Sequence, residues 1–305
     1  MESTGQSGRG DGREPKGCFA PVLRIVLYLL ALVAALLFVG IAVLPVLFHT
    51  GFEPGPEVIS EISVLHLAIV WVPLSVVIVL VTLAFVVYID RRPPETLGFS
   101  RRGSWCAEAW LGLGMGFGLP LLMFVISYLA GWSRVTVPVF SEPLGRVVIA
   151  LAQAMLLMAA VAVGEETVVR GYILQTLKWG YGTVIALLAS SILFGAGHFM
   201  NPDVAVAGFL GTTAAGLVLG YSYLVTGRLW LPMAFHFASN FALGPVLGFP
   251  VSGIPMKGWI AQESVGPPLW TGGEFGPEAG VIGLVAIIIA IPIIRWFAAH
   301  IYRAG

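Results

Sequence analysis

Apolar runs of roughly 20 residues recur along almost the whole chain, and this pattern rules out most ways of folding in water. Lipid is the solvent such runs require. Of the 305 residues, 58% are hydrophobic and only 10% charged, whereas a soluble domain carries about a quarter charged residues. Within lipid every backbone N–H and C=O must be satisfied internally, which leaves helices or a closed barrel. The runs lack the ten-residue alternation of barrel strands. The expected fold class is therefore all-α, a polytopic membrane protein with eight transmembrane helices.

The eight spans are expected near 22–48, 64–89, 107–130, 146–176, 182–199, 204–225, 229–248 and 279–301. Residues 1–21 are polar and Gly-rich and read as a disordered cytoplasmic tail. Residues 22–142 read as N-terminal membrane helices, 143–248 as a core of helices carrying the polar residues, and 279–305 as a last helix with a short tail. Between them, 249–278 is a long loop rich in Gly, Pro and Trp, suited to covering a cavity mouth or to serving as a plain interfacial connector. With the N-terminus inside, twelve Lys and Arg residues fall on the cytoplasmic side. Only Arg134, Arg146 and Lys257 fall outside. That imbalance places both termini in the cytoplasm of a multi-pass cell-membrane protein. Net charge is zero, which gives no reason to expect nucleic acid as a partner. Cys18 and Cys106 both sit beside expected spans and form no disulfide framework. Glycines at 112, 114, 116 and 118, and at 216 and 220, allow helices to approach closely. No residue pattern sets an oligomeric state.

Most acidic residues lie in loops or at span ends; Glu165 and Glu166 do not, and Arg170 follows close behind. Each such charge costs about 2.5–3.5 kcal/mol on insertion scales, so all three need partners or a purpose. Glu166 and Arg170 are four apart and share a helix face, as an ion pair requires. Glu165 points about 100° away and is free to face something else. Of five histidines, His49, His66 and His300 lie at span ends. His198 stands four after Phe194, and His236 four before Asn240, so each of these pairs shares one face of its helix. A lone membrane histidine is more often a helix–helix hydrogen bond than a catalyst. Two of them with an asparagine and paired carboxylates on neighbouring spans form a stronger pattern.

A carboxylate and a histidine can together deprotonate water for attack on a carbonyl. A histidine and an asparagine can donate to the oxyanion that results. This set suffices for peptide hydrolysis with no cofactor. Two histidines and a glutamate also suit zinc, so a divalent metal is not excluded. The HExxH helix of zinc peptidases is absent, which favours the metal-free chemistry.

Three segments resemble the motifs of one family. Glu165-Glu166-Thr-Val-Val-Arg170 resembles the EExxxR motif of the CPBP intramembrane proteases, which include type II CAAX prenyl endopeptidases and bacteriocin-processing proteins. Phe194 to His198 resembles FxxxH, and His236 to Asn240 resembles HxxxN/D. The residues between Glu166 and Arg170 lack the bulky Leu-Phe usual there, a difference in packing. The resemblance implies an eight-helix intramembrane endopeptidase acting on a peptide or membrane-protein substrate within the bilayer. It implies that Glu165, assisted by His198, activates water, that His236 and Asn240 hold the oxyanion, and that Glu166 positions the site while pairing with Arg170. Two other readings use the same residues: a non-enzymatic immunity or scaffold protein of that family, and a proton-coupled transporter with a Glu/His relay.

Upright helices would leave these groups at different levels. At 1.5 Å per residue from the inner ends of their spans, Glu165, His198 and His236 lie roughly 18, 25 and 10 Å deep. A shared site requires tilt, or a break at Gly164 or Gly171.

Overall fold

The computed structural model describes residues 19–51, 63–138, 143–256 and 258–302. Residues 1–18 of the expected tail, Lys257, residues 303–305 and parts of two connecting loops lie outside them, while Ala20 and Pro21, expected in the tail, begin the first helix. The chain forms a bundle of helices: α1 (Ala20–His49), α2 (Val64–Ala84), α3 (Trp105–Leu129), α4 (Leu144–Glu166), α5 (Gln175–Tyr181), α6 (Thr183–Ala196), α7 (Val206–Thr226), α8 (Trp230–Phe241) and α9 (Val281–Ile301). Short π-helical stretches extend α2 over Phe85–Ile89 and α8 over Ala242–Val246, and join α4 to α5 over Thr167–Leu174.

Of the eight spans expected from hydropathy, six become helices long and apolar enough to cross a membrane. These are Ala20–His49, Val64–Ile89, Trp105–Leu129, Leu144–Tyr181, Val206–Thr226 and Val281–Ile301. The chain is thus a polytopic helical membrane protein, with six helices of spanning length among the described residues where eight spans were expected. α6 has 14 residues, about 21 Å of rise, and stops where Gly197 caps it. α8 has 12 residues and its π extension 5, together about 25 Å. The apolar runs at these two positions continue through turns, so hydropathy alone lengthens them.

The all-α expectation also yields at one place. β1 (Ser133–Pro138) and β2 (Ile260–Ser264) pair antiparallel, with Ser133 opposite Ser264 and a bulge between Val135 and Val137. The Ser133 hydroxyl donates to Gln262 Oε1 at 2.7 Å. The long loop is therefore tied to the α3–α4 connection.

Small residues set the closest contacts. A Cβ on Gly112 would lie 2.6 Å from the Leu231 carbonyl oxygen, and one on Gly116 2.5 Å from Ala238 Cβ. Gly114 and Gly118 face open space, so only the i, i+4 pair packs against α8. A Cβ on Gly216 would lie 3.1 Å from Ser191 Cα, and one on Gly220 2.6 Å from Leu187 Cδ1, which brings α7 onto α6.

The two ends of the bundle differ. At one, Leu229 N–H donates to the Gly98 carbonyl at 2.9 Å and Trp230 Nε1 donates to Ser100 O at 2.9 Å. Nearby, buried Glu108 accepts from Arg228 Nε at 2.8 Å and from the Tyr302 hydroxyl at 2.5 Å. At the other end lie the two-stranded sheet and the 249–280 loop. There Asn201 Nδ2 donates to Ser252 O at 2.8 Å, and Ser252 N–H donates to Glu278 Oε2 at 2.6 Å.

Candidate active site

The break that a shared site requires lies directly after the two glutamates. Glu165 and Glu166 end α4, and Thr167–Leu174 then runs as a π-helix through Arg170 and Gly171. Such bulges are rare and occur often at functional sites. Gly171 packs under the Leu97 carbonyl, 3.6 Å from its notional Cβ. Gly164, on the other side, packs against Ser75, whose hydroxyl donates to the Ala160 carbonyl. The polar turn is thereby held between α2 and the Gly98–Leu229 connection.

Glu166 and Arg170 are fully buried. Arg170 Nη1 donates to Glu166 Oε1 at 2.7 Å, and Nη2 donates to the Gly216 carbonyl on α7 at 3.0 Å. The guanidinium carbon also sits 4.5 Å from the Phe194 ring centroid. The same Glu166 oxygen accepts from His236 Nδ1 at 2.9 Å. His236 Nε2 is left facing Glu165, 3.9 Å from its Oε2, a charge contact too long for a hydrogen bond. Among the described residues that Oε2 has no hydrogen-bond partner. His236 thus bridges the two glutamates: one ring nitrogen is committed, the other directed at the less buried carboxylate.

His198 lies beyond the end of α6, in a turn. Its Nδ1 is 2.8 Å from the Phe194 carbonyl, which can only accept, so Nδ1 carries a proton. In the neutral ring Nε2 is then an acceptor. Phe194 presents an edge to both histidines, with centroid distances of 4.9 Å to His198 and 6.0 Å to His236. Glu165, His198, His236 and Asn240 line one cavity of about 460 Å³, whose remaining walls are chiefly apolar. The two histidines and Asn240 also border a smaller pocket of about 90 Å³ between α3, α7 and α9. All six polar residues singled out in the sequence therefore meet in one region, four on the large cavity and Glu166 with Arg170 behind it.

Residue spacing does not reveal three features. The His236–Glu166 hydrogen bond joins residues 70 apart. Gly216 contributes a backbone carbonyl, which has no sequence signature. Asn201 and Ser252 line the large cavity from the far end. Asn201 lies three residues after His198 in a polar turn, and that is its one sequence signal. Among the described residues no three His, Cys, Asp or Glu side chains converge as metal ligands.

Residues 147–242 match the family model described as type II CAAX prenyl endopeptidase Rce1-like. That stretch holds the glutamates, Arg170, both histidines and Asn240. The match spans about a third of the chain, and this segment is similar to the CAAX protease family. Neither the curated proteins nor the solved structures offer a match to the chain. Within the matched segment, α4 supplies the carboxylates, the α6 end His198, and α8 His236 and Asn240.

Proposed function

We propose that the chain is an intramembrane endopeptidase of glutamic type, hydrolysing a peptide bond in a peptide or membrane-protein substrate. The observation that carries this reading is the division of labour between adjacent carboxylates. Glu166 is fully buried with one oxygen engaged by both Arg170 and His236, whereas Glu165 is partly exposed and lines the cavity with, among the described residues, no such ion pair to an arginine.

Glu165 takes a proton from a water, assisted by the acceptor nitrogen of His198. The hydroxide attacks the scissile carbonyl, and the proton passes to the leaving amine. Glu165, Glu166 and Arg170 together carry one net negative charge when ionised, and a second proton on His236 brings the cluster to zero. His236 Nε2 then becomes a donor. With the Asn240 side-chain amide it stabilises the oxyanion in a site with little water. Glu166 orients His236 through Nδ1, as a carboxylate orients the histidine of a catalytic triad. The two short helices α6 and α8 complete the membrane-embedded core, and both termini face the cytoplasm.

The test is a comparison of membranes containing the wild type and Glu165→Gln, with released peptides identified by mass spectrometry and purified protein assayed on the hits. Loss of cleavage with unchanged thermal stability supports the proposal. Wild-type turnover by Glu165→Gln refutes it.

A further inference from the structure

Of the six polar site residues, His198 alone lies outside a helix. The turn that carries it also contains Phe199 and Met200, which are 55 and 91% exposed. The His198 ring is held through Nδ1 by the Phe194 carbonyl, but the backbone of the turn needs holds of its own. One is the stack of Phe199 on Phe209, with ring centroids 5.1 Å apart. Another is Asn201. Its backbone N–H donates to the His198 carbonyl at 3.0 Å, and its side-chain Nδ2 donates to Ser252 O at 2.8 Å.

Ser252 is a firm anchor. Val251 and Ile254 exchange backbone hydrogen bonds at 3.0 and 2.9 Å around Ser252 and Gly253, whose φ angles are 48° and 83°. Two positive φ values in succession make a tight turn that favours Asn-Gly or Asp-Gly. A serine at the first position is uncommon, and the surroundings must hold it there. Glu278 does so: its Oε2 accepts from the Ser252 N–H at 2.6 Å and from the Ser252 hydroxyl at 3.0 Å. Gly253 seats this turn on the one that carries the histidine, since a Cβ there would lie 2.1 Å from the Pro202 carbonyl oxygen. Glu278 is itself wedged between helices. A Cβ on Gly211 of α7 would lie 2.1 Å from its carbonyl oxygen, and one on Gly283 of α9 3.1 Å from its Cα. Val251 and Ser252 are buried, so this part of the loop is packed against the site.

Glu278, Ser252 and Asn201 thus form one line of hydrogen bonds, from the packing of α7 and α9 to the turn that carries His198. We infer that Asn201 is a positioning residue for His198, and that Glu278, acting through Ser252, fixes Asn201. Ser252 and Glu278 lie outside the matched residues 147–242, so the long loop supplies a support that the matched segment does not contain. The support rests on geometry alone, and its consequence for catalysis rests on the proposed function. Asn201 and Ser252 also line the large cavity, so positioning has to be separated from lining. A group that only lines the cavity changes KM, whereas one that places His198 changes kcat.

Three variants of the full chain test this. Asn201→Asp keeps the size and replaces the amide donor by an oxygen facing the Ser252 carbonyl. Glu278→Ala removes the acceptor for Ser252, and Glu278→Gln restores one through its amide oxygen. Two readouts are taken in detergent, with thermal midpoints alongside. One is turnover of the peptides that the wild type cleaves. The other, independent of turnover, is the rate at which diethyl pyrocarbonate modifies His198, read by peptide mass spectrometry. In Asn201→Asp and Glu278→Ala kcat should fall about 10- to 100-fold with KM little changed, the effect of displacing a catalytic group by about 1 Å. Modification of His198 should quicken about fivefold, the weight of one lost hydrogen bond. Glu278→Gln should recover most of both effects. A raised KM at wild-type kcat, or unchanged His198 reactivity in Asn201→Asp and Glu278→Ala, overturns the inference. A Glu278→Gln variant as impaired as Glu278→Ala does the same. Should Glu278→Ala not fold, Asn201→Asp decides. If the wild type cleaves nothing, the proposed function fails, and the His198 modification rates still decide the positioning.

Discussion

Arg170 is the position at which the structure makes the sharpest energetic demand. Its side chain is fully buried in a π-helical turn, paired with Glu166, bonded to the Gly216 carbonyl and stacked on Phe194. Replacing it by Met keeps most of the volume and removes every one of these interactions. Glu166 is then left as a buried carboxylate with only His236 Nδ1 on it, and breaking one half of a buried pair costs about 3–5 kcal/mol. Loss of the Gly216 acceptor's partner adds about 1 kcal/mol, so Arg170→Met should lose about 4–6 kcal/mol. Even so, the pair is not fully satisfied, since Glu166 Oε2 and Arg170 Nε have no hydrogen-bond partner. Removing both charges together should therefore recover much of the loss. Glu166→Gln keeps an acceptor for His236, and the Glu166→Gln/Arg170→Met double variant should be more stable than Arg170→Met alone, with a coupling of at least about 2 kcal/mol. Equilibrium unfolding in mixed detergent micelles, read by tryptophan fluorescence or by loss of helix signal, measures the four corners of this cycle. Additive single effects, or an Arg170→Met variant within about 1 kcal/mol of wild type, would refute the picture of a coupled buried pair.

Three further outcomes follow from particular contacts. Glu165→Gln should reduce peptide cleavage by about 10²–10⁴-fold, the usual contribution of a general base, while leaving the unfolding midpoint unchanged. Gly116→Ala should destabilise the α3–α8 contact by about 1–3 kcal/mol in the same unfolding assay, because its Cβ would lie 2.5 Å from Ala238 Cβ and 2.7 Å from the Phe235 carbonyl oxygen. Gly114→Ala on the opposite face should be neutral or slightly stabilising. Tyr302 lies just past the last span, where burial and its hydrogen bond to Glu108 raise the hydroxyl above the ordinary phenol value of 10.0. The folded state therefore favours the protonated phenol. Its contribution is complete below that ordinary value and is lost as pH rises through the folded one, so wild-type stability should fall on alkaline titration more steeply than that of Tyr302→Phe.

How far the fold was legible depends on what each element uses. Long apolar runs such as 22–48 and 279–301 announce a span because lipid accepts little else. The turns after Ala196 and Val246 were hidden, since His198-Phe199-Met200 and Leu247-Gly248-Phe249 continue the apolar composition without continuing the helix. β1 and β2 were hidden for a different reason: their paired ends, Ser133 with Ser264 and Pro138 with Ile260, lie 131 and 122 residues apart, and pairing at that range leaves no local pattern. Within the site, i, i+4 spacing placed Arg170 beside Glu166 and His236 on the face of Asn240. The link between those faces, His236 Nδ1 to Glu166, depends on how α8 meets α4, which no local rule supplies.

The depth mismatch shows how the remaining gap is closed. Counting residues along upright helices separates His236 from His198 by roughly 15 Å. Three devices remove that separation. α6 ends early at Gly197 and its chain folds into a turn, so His198 hangs from the helix end and bonds back to Phe194 O. The π-helix after Glu166 changes the rotation per residue, so the stretch from Thr167 to Leu174 does not continue the faces that an α-helix would dictate. Gly112 and Gly116 let α8 settle against α3, placing His236 about two turns above the Gly98–Leu229 floor and within reach of α4. A medium-sized side chain at Gly116 would move the backbone carrying His236, and the 2.9 Å bond to Glu166 leaves little room for that movement. The glycines explained in the sequence by packing alone are thereby tied to the chemistry: their absent side chains set the distance between the histidine and the carboxylates.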